Sequence, residues 1–239
     1  MAEEREKYLI VVAGGHGTRM GSDLPKQFLS LGGKPVLSVT IDRFIRAVPG
    51  LKVVTVLPGD WFDYWKDWCL ANNFHYPQIF APGGVTRFHS VRNALSKVPD
   101  GAIAAIHDGV RPLISQDLIR SLFARAEKCP GVIPVVPVTD TLKVLGREET
   151  ASGETVLREI EGEVMDRSVA YGAQTPQLFW SELIRDAYSV PYDTAFTDDA
   201  SIARVKKIPL TFVEGERYNL KITCREDLAV AEAILKMSL

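Results

Sequence analysis

The chain has 239 residues, 46% of them hydrophobic and 24% charged, with a formal net charge of −2. Such a composition suits a globular protein with a core of its own and excludes a basic surface for sequence-independent nucleic-acid binding. The three cysteines, Cys69, Cys129 and Cys224, form no Cys-x-x-Cys pair, so neither a disulfide framework nor a zinc site is expected.

Residues 1–7 are charged and contain no h-region of a signal peptide. No stretch approaches the roughly 20 apolar residues of a membrane span, so a cytoplasmic chain with no membrane partner is expected. Residues 8–12 read as a buried strand that empties into Ala13-Gly14-Gly15-His16-Gly17-Thr18-Arg19-Met20, followed by Pro25-Lys26-Gln27. Glycines lacking Cβ let backbone N–H groups approach a ligand, and Arg19 and Lys26 add fixed positive charge. The pattern predicts a polyphosphate cradle at the carboxyl end of a first parallel strand. It is not a Walker A loop, because no Gly-Lys is followed by Ser or Thr. It is not a dinucleotide fingerprint either, because Met20 stands where the third glycine belongs.

Further strands are predicted over 52–57, 103–107 and 132–136, and helices over 36–47, 60–72, 88–95 and 117–128. The strands lack polar alternation, as expected when both faces are covered. The alternation implies an α/β fold: a Rossmann-like, mostly parallel twisted sheet flanked by helices. Asp108 falls at the carboxyl end of a strand, where open sheets hold ligands, and its carboxylate suits a hydrated Mg²⁺ or a ribose hydroxyl. Arg111 reads as a brace for that loop, and His16 and His107 as residues that shape loops.

The rhythm breaks after Pro137. Residues 139 to about 175 are polar, 147–153 have little to bury, and 155–160 form a candidate strand. Val144, Leu145, Val156, Leu157, Ile160 and Val164 nevertheless supply apolar groups. This predicts one domain, 1–239, with a protruding β-arm at about 139–171 that finds its apolar partner on a second subunit. Regular structure resumes with 181–189, a strand over 210–213 and a terminal helix from Arg225. Thr223-Cys224-Arg225-Glu226 has capping-box spacing, Thr197 or Asp198 reads as another helix cap, and Lys221 is placed on a short strand.

Residues 13–28 resemble the signature of nucleotidyltransferases that activate sugar or polyol phosphates, above all the 2-C-methyl-D-erythritol 4-phosphate cytidylyltransferase (IspD) family. The similarity continues through Gly83-Gly84-Val85-Thr86-Arg87-Phe88-His89-Ser90, His107-Asp108-Gly109-Val110-Arg111-Pro112, Thr139-Asp140-Thr141, Met165-Asp166-Arg167, Gln174-Thr175-Pro176-Gln177, Phe196-Thr197-Asp198-Asp199-Ala200-Ser201 and Asn219-Leu220-Lys221-Ile222-Thr223. The resemblance implies that Ala13, Gly14, Gly15, Gly17, Gly84, Ser90, Asp108 and Gly109 bind CTP. It makes Arg19 and Lys26 the groups acting on the triphosphate and transition state. Thr141, Thr175 and Thr197 then bind the acceptor, while Lys221 and Arg167 position its phosphate, Thr141 and Arg167 reaching in from a partner subunit. It also implies a homodimer and Mg²⁺ carried mainly on the CTP phosphates, with Asp108 beside it. A ribitol-5-phosphate cytidylyltransferase shares the first loop, and Val110 and Leu220 lean towards it; residues 87–90 and 196–201 favour methylerythritol phosphate. A non-catalytic nucleotide-binding regulator would be expected to have lost one of Arg19, Lys26, Asp108 or Lys221.

Overall fold

The computed structural model describes residues 4–15, 24–150, 152–161 and 165–237. Its first half runs β1 (Lys7–Val12), β2 (Ser30–Leu31), β3 (Lys34–Pro35), α1 (Val36–Ala47), β4 (Lys52–Leu57), α2 (Phe62–Ala71), β5 (Gln78–Pro82), α3 (Arg87–Leu95), β6 (Ile103–Asp108) and α4 (Gln116–Ala126). Then follow β7 (Gly131–Pro137), β8 (Leu145–Glu149), β9 (Thr155–Glu159), β10 (Tyr171–Ala173), β11 (Gln177–Trp180), α5 (Ser181–Ala187), α6 (Asp199–Val205), β12 (Thr211–Glu214) and α7 (Arg225–Met237).

β1 explains the architecture. It pairs in parallel with β4 on one side and β6 on the other, and its successive side chains point to opposite faces. Tyr8 and Ile10 join a core with Phe88 and Val91 of α3, Ile184 of α5 and Ile202 of α6. Leu9 and Val11 join a second core with Leu37 and Ile41 of α1, Trp65 of α2 and Leu122 of α4. With both faces covered, the strand is apolar throughout, and each fully buried aliphatic side chain contributes about 1.5–3 kcal/mol.

Among the described residues the main sheet has eight strands, in the order β10-β7-β11-β6-β1-β4-β5, with β12 also on β7. The α/β class and the mostly parallel centre agree with the sequence reading. β11, however, inserts antiparallel between β6 and β7, in a segment for which no strand was predicted. β5 is a half-exposed edge strand on β4 that the apolar pattern did not reveal.

In the polar stretch after β7, β8 and β9 form a separate two-stranded antiparallel sheet, pairing Leu145 with Glu159 and Glu149 with Thr155. Residues 147–149, part of the 147–153 stretch that offered little to bury, thus belong to a strand whose hydrogen bonds are met within the hairpin. Two local readings are corrected. Residues 219–223 are not a strand; Ile222 donates to the Val110 carbonyl, and the Asn219 amide donates to the Thr175 carbonyl. The α7 start is capped by Asp227 rather than Glu226: one Asp227 carboxylate oxygen accepts from the Thr223 N–H, the Thr223 hydroxyl and the Cys224 N–H. The helix begins at Arg225, as read from the sequence, and that start brings Asp227 rather than Glu226 into the third position.

Candidate active site

Two glycine loops meet at the carboxyl ends of the parallel strands. The loop after β1 continues the ladder through the Ala13 N–H, which donates to the Val56 carbonyl at 3.0 Å, while the loop after β5 is held by the Gly83 N–H on the Leu57 carbonyl at 2.8 Å. A Cβ on Gly14 would lie 3.3 Å from the Gly83 Cα and 3.2 Å from Ser90 Oγ. At Gly84 it would lie 2.4 Å from the His89 Cβ. Both loops therefore need glycine for their close approach. Ser90 fastens the second loop: its buried hydroxyl accepts from the Gly84 N–H at 2.9 Å and donates to the Thr86 carbonyl at 3.0 Å.

Lys26 opens a 3-10 turn, Lys26–Phe28, whose other two residues fix its place. The Gln27 amide donates to the Ala13 carbonyl at 2.8 Å and the Gly15 carbonyl at 3.2 Å, joining this turn to the first loop. Phe28 sits among Trp61, Tyr64 and Trp65, with ring centroids 5.0–6.0 Å away. The lysine thus stands on a packed base.

Opposite lies a charged cluster at the end of β6. Asp108 is 6% exposed and has three cationic neighbours: Lys221 Nζ at 2.9 Å, Arg87 Nε at 3.4 Å and Arg111 Nε at 3.5 Å. Burial alone would raise its pKa, but Arg87, Lys221 and Arg111 outweigh burial and hold the carboxyl well below the usual carboxylate range. Arg111 also donates to the Asn219 carbonyl at 2.7 Å, the bracing role read from its position.

His107 is wholly buried and its pKa is pushed down to about 4, chiefly by desolvation. Its Nε2 bonds to the Arg111 carbonyl and its Nδ1 to the Thr175 hydroxyl. That hydroxyl also accepts from the Asp108 N–H at 3.0 Å, so it donates to Nδ1 of a neutral imidazole. His107 shapes the loop, as its burial implied.

A cleft of about 430 Å³ collects Ala13, Gly14, Gly15, Lys26, Gly84, Ser90, Asp108 and Lys221 from the sequence-derived residues. Others lie elsewhere. Gly109 does not line it: its N–H is spent on the Val12 carbonyl, and a Cβ there would meet Ala13 at 3.0 Å. Gly109 is a packing glycine. Thr175 is buried under Asp108 rather than open to an acceptor. Thr197 borders a separate cavity beside α6. Thr141 and Arg167 are exposed outside the cleft, and Arg167 donates to the Thr139 carbonyl. Arg19 and Gly17 lie outside the described residues.

Sequence reasoning missed Asp199. It is fully buried, and its two oxygens receive Arg87 Nη1 and Nη2, each at 2.7 Å. Its nearest signal was a second acid beside the capping Asp198, which does accept from the Ser201 N–H.

No group of three or more His, Cys, Asp or Glu suited to a metal occurs among the described residues. Among the described residues Asp108 is the carboxylate bordering the cleft, and its oxygens already face cations, Oδ2 Lys221 and Oδ1 Arg87. This fits a cation that takes most of its oxygen ligands from a bound polyphosphate and water, and not one caged by protein.

A water-open cleft between two backbone loops, edged by lysines and placed at the strand ends, is the architecture of an α/β nucleotidyltransferase. The relatives agree. A protein from Bacteroides thetaiotaomicron named 2-C-methyl-D-erythritol 4-phosphate cytidylyltransferase is 43% identical over 95% of this chain and 98% of its own length. One of the same name from Porphyromonas gingivalis is 41% identical over 97% and 99%. The crystal structure of 4-diphosphocytidyl-2C-methyl-D-erythritol synthase from Anaerococcus prevotii superposes with a TM-score of 0.76 at 26% identity, covering 97% of this chain and 96% of that one. Residues 8–237 match the 2-C-methyl-D-erythritol 4-phosphate cytidylyltransferase (IspD) family, and the chain belongs to it.

Proposed function

We infer that the cleft carries out cytidylyl transfer from CTP to 2-C-methyl-D-erythritol 4-phosphate, giving the diphosphocytidyl polyol and pyrophosphate. The family match along almost the whole chain supports this reaction. The observation that carries it to particular residues is the placing of Lys26 and Lys221 on one cleft with both glycine loops.

The acceptor's phosphate oxygen attacks the α-phosphorus in line with the departing pyrophosphate, forming one P–O bond as another breaks. A phosphate monoester is already nucleophilic at neutral pH, so the protein supplies alignment and charge rather than a base. Lys26, and by resemblance Arg19, neutralise the triphosphate as charge builds on the leaving group. Lys221 holds the incoming phosphate. Gly14 and Gly84 present a backbone surface too close for side chains, and Gly15 lies beside them on the cleft. A bound Mg²⁺ would lower the negative charge on the phosphates, with Asp108 its protein neighbour.

The acceptor's remaining contacts are proposed to come from a second subunit. Leu157 is 64% exposed, and Leu145 and Ile160 share the same hairpin with 45% and 44% of their surface exposed; such apolar groups suit burial against another copy. Arg167 and Thr141 would then reach the partner's cleft. No helix among the described residues is long and apolar enough to cross a membrane, and with three free cysteines we place the reaction in the cytoplasm.

Pyrophosphate release from CTP is the test. It should require 2-C-methyl-D-erythritol 4-phosphate; release driven equally well by ribitol 5-phosphate would overturn the choice of acceptor.

A further inference from the structure

Five charged groups form one chain that ends at the cleft. Asp199 grips the Arg87 fork through both oxygens, Arg87 Nε faces Asp108 Oδ1, and Asp108 Oδ2 faces Lys221 Nζ, with Arg111 alongside. Three cations stand against two carboxylates, leaving one surplus positive charge. Lys221 is the most open of the five, with a side chain 40% exposed against 29% for Arg87, 13% for Arg111, 9% for Asp108 and 0% for Asp199.

The distances show how the fork is shared. Arg87 lies 2.7 Å from Asp199 and only 3.4 Å from Asp108. A guanidinium prefers a two-pronged match to a single carboxylate. Without Asp199, the nearest carboxylate for that fork is Asp108, and Arg87 would compete with Lys221 for it. A partly buried guanidinium with no partner is costly enough to drive that exchange. Tyr188 donates its hydroxyl to Asp199 and stacks on Phe88 of the same helix as Arg87, so the carboxylate is itself held in place.

We propose that Asp199 is a positioning residue for the transfer reaction: by occupying the Arg87 fork, it leaves Asp108 free to hold Lys221 at the cleft. This rests on the reaction proposed above, in which Lys221 holds the acceptor phosphate.

The experiment is a double-mutant cycle of Asp199→Asn and Lys221→Gln, with kcat and KM measured for each substrate and folding checked by circular dichroism and urea midpoint. Asp199→Asn should lower kcat/KM for methylerythritol phosphate about 10-fold while the KM for CTP changes about twofold or less. In the Lys221→Gln background the same substitution should cost about twofold or less, because the group it acts through is gone. Asp199→Glu, which keeps the charge and both oxygens, should recover most of the loss. Equal losses in both backgrounds, or a KM for CTP rising in step, would overturn the proposal. If Asp199→Asn does not fold, Tyr188→Phe, which removes the hydroxyl that holds Asp199, is read by the same ratios. A wild-type enzyme that is inactive with CTP and methylerythritol phosphate would remove the reaction itself and the proposal with it; an active wild type with equal losses removes only the brace.

Discussion

Lys221 Nζ lies 2.9 Å from Asp108 Oδ2, joining a loop near the end of the chain to the end of a central strand. Asp108 serves three cations at once, so its charge is structural before any ligand arrives. Replacing it leaves those cations facing one another in a partly desolvated site. Asp108→Asn is expected to lower unfolding free energy by about 3 kcal/mol, measured by urea denaturation at pH 7.5. A loss under about 1 kcal/mol would show that the cations find other partners.

Gln27 and Phe28 anchor the turn that carries Lys26, so removing its ammonium should change charge more than shape. Lys26→Ala should reduce kcat on the order of 10²-fold while the KM for CTP changes much less. Steady-state pyrophosphate release over a range of CTP concentrations separates the two. An unchanged kcat would remove Lys26 from the transition state.

His107 makes acid stability predictable. Burial lowers its pKa to about 4, against about 6.5 in an unfolded chain. Between those values the unfolded chain binds a proton that the folded one does not, so stability falls as pH falls. The contribution is fully present above about pH 6.5 and declines by about 1.4 kcal/mol per pH unit down to about 4. Urea midpoints from pH 7.5 to 4.5 should show this slope, and His107→Gln should flatten it whatever the variant's absolute stability.

The arm makes a separate claim. If the cleft of one subunit uses Arg167 of another, Arg167→Ala and Lys26→Ala chains mixed and refolded together should regain about a quarter of wild-type activity, since each mixed dimer rebuilds one intact site. Mixtures no more active than either parent would show that the site is not shared.

How much of this was legible in the sequence depends on distance along the chain. β1, β4 and β6 were visible because burial on both faces leaves uninterrupted apolar runs, and the amphipathic pattern of α1 gave its bounds. β11 was hidden: it is four residues long, and its place between β6 and β7 is decided by partners far away in sequence. Lys26, Asp108 and Lys221 were found by motif, and the cleft unites them. Gly109, in the motif of Asp108, and Thr175, in the motif 174–177, are consumed by the scaffold, because a motif records which residues occur together and not which way each one faces. Asp199 shows the opposite failure. Its role is a pairing with Arg87 across the fold, and no local spacing announces it.

The most direct measurement is ³¹P NMR of the wild-type enzyme with CTP, Mg²⁺ and 2-C-methyl-D-erythritol 4-phosphate. The acceptor's monoester resonance should be lost and a coupled pair of diphosphate-diester resonances should grow, with free pyrophosphate in equal amount. Pyrophosphate accompanied by CMP, with the monoester untouched, would contradict it.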